Sequence, residues 1–224
     1  MIPEALRSVV FDLDGTLVDS APDIRRVANS VLAEEGRAPV TLEETRGFIG
    51  SGAPVLVRRM AAARDLPQEG PGYDALLARF LARYEGAVEQ TRLYPGVADA
   101  LARLQAMGLR LGLCTNKPQG PTSGVLAHFG LTRVFGAVVG GDTLPVRKPD
   151  PAPLLHVVEA LGGGPTLYVG DSEVDAQAAA AALIPFALYT EGYRKGPVAG
   201  IPHAFAFDHW DLLAQRLAPR RHSA

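Results

Sequence analysis

Apolar residues fall along this chain in short continuous runs that alternate with longer amphipathic stretches. Ser8-Val9-Val10-Phe11 is an apolar run that stops at an acidic turn and reads as a buried strand. Leu109–Cys114, Ala137–Val139, Thr166–Val169 and Phe186–Tyr189 have the same character. Between them Val97–Met107, Gly120–Phe129, Ala152–Leu161 and Val174–Leu183 carry apolar residues at helical spacing, as at Val97, Leu101 and Leu104. Strands alternating with helices predict a parallel sheet covered on both faces, an α/β class with a Rossmann-like core. From about residue 20 to residue 90 the rhythm changes. No convincing strand occurs there, and Ile24–Glu35, Leu42–Phe48, Pro54–Arg64 and Tyr73–Glu89 read as four helices separated by Gly and Pro. Leu76, Leu77, Phe80, Leu81 and Tyr84 make an i, i+3/i+4 stripe on the last of them. The expected organisation is a core formed by residues 1–18 and 92–224, with a helical cap inserted at 19–91. Tyr94-Pro95-Gly96 marks the return to the core, and Arg220-Arg221-His222 reads as a frayed tail.

Composition narrows the function classes. The chain has 224 residues, 47% hydrophobic and 21% charged, which is the profile of a folded globular protein. A formal net charge of −2 argues against a nucleic-acid or anionic-membrane partner held by bulk charge. No apolar stretch reaches the length of a membrane span: Ala178–Tyr189 is too short and is interrupted by Pro185. The first apolar run meets Asp12 and Asp14 almost at once and does not read as a secretory signal, so a cytoplasmic location is the default expectation. Cys114 is the single cysteine, which excludes an intrachain disulfide and a cysteine-based zinc site. It reads as a small buried strand residue.

The chemistry is concentrated where strands end. Asp12 and Asp14 follow the first strand in Phe11-Asp12-Leu13-Asp14-Gly15-Thr16. Residues two apart in a strand share one side, so the two carboxylates are expected to emerge together. Gly15 frees the backbone to turn and offers an N–H to an anion. Two adjacent carboxylates repel unless a cation lies between them or one takes a proton, which suits a nucleophile paired with an acid/base. Thr115-Asn116 follows the second strand, Lys148-Pro149 precedes a helix, and Gly170-Asp171-Ser172 with Asp175 follows a later strand. In an open parallel sheet ligands bind beyond the carboxyl ends of the strands. Taken singly, each residue has a plainer reading. Thr115 could end a strand or cap a helix, Lys148 could be a solvated charge, Asp171 could be an N-cap, and Asp175 could be a partner for the helix dipole.

Taken together and in this order, these residues resemble the motif set of the haloacid dehalogenase (HAD) superfamily. Its first motif, DxDGT, is Asp12 to Thr16; its second is Thr115; its third is Lys148; its fourth, GDxxxD, is Gly170 to Asp175. The helical insert matches the cap position between the first two motifs. Within the superfamily the wording is most similar to bacterial phosphoglycolate phosphatases, in FDLDGTLVDSAPDI (11–24), YPGV (94–97), TNKP (115–118), GGD (140–142), KPDPAPL (148–154), VGDSEVDAQAA (169–179) and EGY (191–193). The resemblance implies an Mg²⁺-dependent phosphomonoester hydrolase working through an aspartyl-phosphate. Asp12 would be the nucleophile and Asp14 the acid/base. The Asp12 carboxylate, the Asp14 main-chain carbonyl and the Asp171 carboxylate would hold the metal, with Asp175 behind them holding a metal water or Lys148. Gly15, Thr115, Asn116 and Lys148 would hold phosphate oxygens. Charge points the same way: four carboxylates against one ammonium call for a hard divalent cation.

The implied substrate is a small phosphorylated metabolite, 2-phosphoglycolate, cleaved to glycolate and phosphate by a monomer or homodimer. Its carboxylate needs a cationic partner, and Arg59, ahead of Arg58, is the expected one, just beyond the glycine-containing loop Ile49–Pro54. The same core motifs would also serve a phosphatase for another small metabolite, or a phosphosugar mutase. A phospho-acceptor signalling domain fits less well, because its acceptor lies on a later strand.

Overall fold

A computed structural model describes residues 6–218 of the chain. The tail at 220–222 lies outside the described residues. Six strands form one parallel sheet: β1 (Ser8–Phe11), β4 (Arg110–Cys114), β5 (Ala137–Val139), β6 (Thr166–Gly170), β7 (Phe186–Tyr189) and β8 (Phe205–Phe207). Their order across the sheet is β5-β4-β1-β6-β7-β8, which puts β1 in the middle with β4 and β6 as its neighbours. The expected α/β class is therefore the observed one.

The continuous apolar runs have a structural reason. Along β1, Val9 and Phe11 enter one buried cluster and Val10 another; along β6, Leu167 and Val169 enter the first and Tyr168 the second. Both faces are covered, so Val9–Phe11 and Leu167–Val169 run apolar without polar alternation, and the buried hydroxyls of Ser8 and Thr166 at the strand starts bond each other at 2.7 Å. The helices α5 (Val97–Ala106) and α9 (Trp210–Leu217) contribute to the first cluster, while α7 (Ala152–Ala160) and α8 (Glu173–Ala181) contribute to the second. α6 (Gln119–His128) joins the first cluster through Val125 and Leu126.

The helices α1 (Ala21–Glu34), α2 (Leu42–Phe48), α3 (Ala53–Ala62) and α4 (Gly70–Tyr84) pack around a third cluster that includes Ile24, Val31, Leu56, Met60 and Phe80. A two-stranded antiparallel ribbon, β2 (Val18–Asp19) with β3 (Arg92–Leu93), joins this group to the sheet at its entry and exit. The ribbon has two residues per strand, too few for any sequence period to register. The edge strand β8 and helix α9 were likewise not expected. Phe205-Ala206-Phe207 is a three-residue strand at the sheet edge, and α9 is a short helix anchored by the buried Trp210. No helix among the described residues is long and apolar enough to cross a membrane.

Candidate active site

The chain leaves β1, β4 and β6 at Asp12, Thr115 and Asp171, three adjacent positions along one edge of the sheet. Asp12 N–H still donates to Val169 O at 2.9 Å, and Thr115 N–H to Val139 O at 3.0 Å, so neighbouring strands fix the backbone at the start of each loop. Asp12, Asp14, Thr115 and Asn116 line one cavity, closed from above by Ile24, Ile49, Gly50, Gly52, Ala53, Leu56 and Tyr84 from the helical group.

Asp14 reaches this cavity by a different route from the one expected. β1 ends at Phe11, so strand alternation does not place it. A tight turn does, in which Leu13 O accepts from the N–H groups of Thr16, Leu17 and Val18. Gly15 is part of that turn, and its N–H donates to Val18 O at 2.8 Å, so it is not free for an anion as expected. Glycine is required there for another reason. The backbone has φ +87°, and a Cβ would lie 2.5 Å from Asp171 Oδ2.

The GDSEVD segment is equally specific in its local physics. Ser172 caps α8 and Asp175 is its N3 partner in a capping box, so Asp171 is not the cap. A Cβ on Gly170 would sit 2.6 Å from the Asp175 side chain, so only glycine lets that carboxylate lie against the strand end. Asp175 Oδ1 accepts from Lys148 Nζ at 2.7 Å and from the Tyr168 hydroxyl at 2.8 Å, while Oδ2 accepts from Ser172 Oγ at 2.6 Å. Burial alone would raise the Asp175 carboxyl's pKa, but the Lys148 ammonium and these bonds hold it below the usual carboxylate range.

Lys148 is brought to the centre by its own backbone. Its N–H donates to Asn116 Oδ1 at 3.0 Å, and Asn116 Nδ2 donates to Lys148 O at 2.9 Å and to Gly50 O at 3.0 Å. The Asn116 amide is thus committed to fastening two loops. The main-chain N–H of Asn116 is the group that would be left for a phosphate oxygen. The Thr115 hydroxyl oxygen accepts from Lys117 N–H at 3.2 Å, and its own proton remains available for donation into the cavity. The GGD motif supports the same loop: Gly141 N–H donates to Lys117 O at 2.7 Å, and a Cβ there would overlap Asn116 O at 2.2 Å.

The charges do not balance. Lys148 Nζ lies 2.9 Å from Asp12 Oδ1, yet that buried oxygen receives no well-directed hydrogen bond. Burial, with repulsion from Asp175 and Asp14 outweighing what Lys148 can offset, raises the Asp12 carboxyl to about 7. Asp171 is pushed well above the carboxylate range by burial and by its neighbours Asp175 and Asp12, even though Tyr193 N–H and the Thr16 hydroxyl donate to it at 2.6 and 2.8 Å. Oxygen atoms of Asp12, Asp171 and Asp175 all lie within 4.8 Å of one another. An all-oxygen, negatively charged cluster with one buried oxygen lacking a directed donor fits a hard divalent cation. The oxygens of Asp175 and of Asp171 all accept protein hydrogen bonds, so Asp12 Oδ1 is the oxygen of this cluster left without a directed donor.

Arg59 is not part of the site. Its guanidinium donates to Phe48 O at 3.1 Å, at the C-terminal end of α2, and it does not line the cavity. Arg58 donates to Gln68 O at 3.2 Å and lies over the Tyr73 ring. The carbonyls at the end of α2 attract the Arg59 cation, whereas a loop carbonyl and an aromatic face hold Arg58. Three residues without an expected role are present instead. Lys117 contacts Asp14, Tyr84 closes the cavity over it, and Tyr193 holds Asp171 through its N–H while its hydroxyl accepts from Ser20 N–H at 2.9 Å. Lys117 and Tyr193 belong to the TNKP and EGY segments, but only tertiary packing shows what they touch.

Comparison with known proteins agrees with this geometry. Residues 6–182 match the family model described as haloacid dehalogenase-like hydrolase. A phosphoglycolate phosphatase of Cereibacter sphaeroides strain ATCC 17029 is 53% identical over 210 residues, covering 93% of this chain and 96% of that protein. One from Rhodobacter capsulatus is 48% identical over 206 residues, with 92% and 94% coverage. The crystal structure of a predicted phosphoglycolate phosphatase from Haemophilus somnus 129PT superposes with a TM-score of 0.88 at 32% identity, covering 96% of this chain and all of that one. With the sheet order, the clustered carboxylates and most of its length thus accounted for, this chain belongs to the haloacid dehalogenase-like hydrolases.

Proposed function

We propose that this hydrolase is a phosphomonoester phosphatase that uses Mg²⁺ and an aspartyl-phosphate on Asp12, and that its substrate is 2-phosphoglycolate. The observation that carries the reading is Asp12: a buried carboxylate at the cavity floor, beside the Lys148 ammonium at 2.9 Å, with one oxygen free of any directed hydrogen bond. Relatives 48–53% identical are named for phosphoglycolate, which supports the substrate.

In this reading the Asp12 carboxylate attacks phosphorus and the P–O ester bond breaks. Asp14 gives its proton to the departing alkoxide. Asp14 then takes a proton from the water that cleaves the acyl phosphate, which restores Asp12 and releases phosphate. The Thr115 hydroxyl donates to a phosphoryl oxygen, and Lys148 offsets charge as the group transfers, itself held in place by Asp175. Asp12, Asp171 and the Asp14 main-chain carbonyl would hold Mg²⁺, which supplies charge neutralisation of the phosphoryl group when bound. The helices α1–α4, within residues 19–91, act as a cap over the core formed by 1–18 and 92–224. The cavity beneath them is about 30 Å³, room for about one water molecule, so substrate entry requires the cap to swing away.

Phosphate release from a panel of small phosphoesters with Mg²⁺ tests this reading. 2-Phosphoglycolate should lead the panel. Chelation and Asp12→Asn should each reduce turnover on the order of 10³-fold or more. Rates that survive Asp12→Asn would reject the covalent route, and equal rates across the panel would reject the substrate. Independently of turnover, Mg²⁺ should raise the melting temperature of the wild-type protein and leave that of Asp171→Asn unmoved.

A further inference from the structure

Two lysines are buried among the described residues, Lys117 and Lys148. Lys148 donates to Asp175 Oδ1 at 2.7 Å and to the Tyr168 hydroxyl at 2.8 Å, with Asp12 Oδ1 at 2.9 Å but without a well-directed bond, so its surroundings are core residues alone. Lys117 is different. It lines the cavity, its ammonium lies 3.2 Å from Asp14 Oδ1, and it makes a short contact with the Tyr84 hydroxyl. Asp14 does not depend on it, because the same oxygen accepts a closer bond from Ser20 Oγ at 2.6 Å. Lys117 has three acceptors, the two oxygens of the Asp14 carboxylate at 3.2 and 3.5 Å and the Tyr84 hydroxyl, and the longest of these contacts is the one a ligand carboxylate would replace. A buried ammonium adds little to stability on balance, which makes its presence here a matter for the ligand.

We propose that Lys117, with the Tyr84 hydroxyl beside it, binds the carboxylate of the alcohol half of the substrate and sets the specificity for phosphoglycolate. The inference rests on the phosphatase reading above, in which Asp14 protonates the ester oxygen. In 2-phosphoglycolate that oxygen and the carboxylate are borne on the same carbon. A cation in contact with Asp14 therefore sits one group away from the ester oxygen, where the carboxylate has to lie. The side chains of Ile24, Ile49, Ala53 and Leu56 in the upper lining are apolar and bring no charge to meet an anion. The Asn116 amide is spent on Gly50 and Lys148, and Arg59 faces away. Lys117 comes from the core and Tyr84 from α4, so the pair is assembled only when the helices are seated on the sheet. A substrate lacking the carboxylate would set an apolar group against the Lys117 ammonium and the Tyr84 hydroxyl, which is how a polar pocket rejects the wrong ligand.

The experiment compares kcat/KM for 2-phosphoglycolate and for ethyl phosphate, in which a methyl group replaces the carboxylate. In the wild-type protein the ratio should favour 2-phosphoglycolate strongly. Lys117→Met should lower that ratio about 100-fold, because it removes the charge that the carboxylate meets and affects ethyl phosphate far less. Tyr84→Phe, which deletes one oxygen from a residue that otherwise packs against Phe80, should lower the ratio about tenfold. Its expected effect keeps the test usable if Lys117→Met does not fold. Equal losses on both substrates would overturn the inference, since Lys117 would then act on the phosphoryl step. A wild-type preference retained in both variants would overturn it as well, while leaving the phosphoglycolate reading standing. A wild-type protein that hydrolyses both esters alike would remove the substrate reading and this inference together.

Discussion

Several positions in this protein are held by contacts that allow glycine only, and Gly15 combines such contacts with a left-handed backbone. Any Cβ at that position meets Asp171 Oδ2 at 2.5 Å and a Tyr193 ring carbon at 2.7 Å, on a backbone already at φ +87°. Gly15→Ala should cost about 1–3 kcal/mol in urea unfolding and displace the Asp171 carboxylate, so Mg²⁺ should no longer raise the melting temperature. Tyr193 joins the same carboxylate to the start of α1: its hydroxyl accepts from Ser20 N–H at 2.9 Å and Ala21 N–H at 3.1 Å, where no side chain caps the helix. Both arginines expected at the substrate were misplaced for a reason that operates at this level. A guanidinium one helical turn from a cavity-lining residue is drawn to whichever carbonyls are nearest, and for Arg59 those belong to Phe48 and Gly47.

Among helices and strands, the weakest connection is the short β2–β3 ribbon, and Asp23 reinforces it. Its Oδ2 accepts from Gln90 N–H at 2.8 Å, Thr91 N–H at 2.7 Å and the Thr91 hydroxyl at 2.9 Å, tying the first turn of α1 to the chain that returns to the sheet. Burial alone would raise its pKa, but these donors and Arg26 bring it below the ordinary 3.8. A carboxyl more acidic folded than unfolded contributes stability in full above its unfolded pKa and loses it as pH falls through the folded one. Stability of the wild-type protein should therefore drop more steeply with acid below pH 3.8 than that of Asp23→Asn, as read from urea midpoints across pH. Parallel slopes would show that the clasp does not depend on charge. The ribbon was invisible in the sequence for a related reason: with two residues per strand, it is defined by its partner and has no pattern of its own.

Among the described residues the buried apolar side chains form clusters on the two faces of the sheet and a separate one among α1–α4. Native-state hydrogen exchange should find β1, β4 and β6 the most protected, with α1–α4 opening as a separate and less stable unit. A single free energy of opening across both would mean that the helical group does not move independently. Such independence matters for function, because the cavity of about 30 Å³ is smaller than any phosphomonoester.

Much of this was legible in the residues. The buried strands were readable because strands covered on both faces must be apolar throughout, and the helices because one-sided burial imposes a period near 3.6. The motif residues Asp12, Thr115 and Asp171 were readable as candidates because, taken together, they end apolar runs of one parallel sheet, where ligands bind. What folding decided is which distant groups meet. Lys117 and Tyr84, or Asp171 and Tyr193, are brought into contact by the order of strands across the sheet and the seating of the helices upon it. Such contacts join residues far apart in sequence, and a local pattern records which face is buried but not what it is buried against.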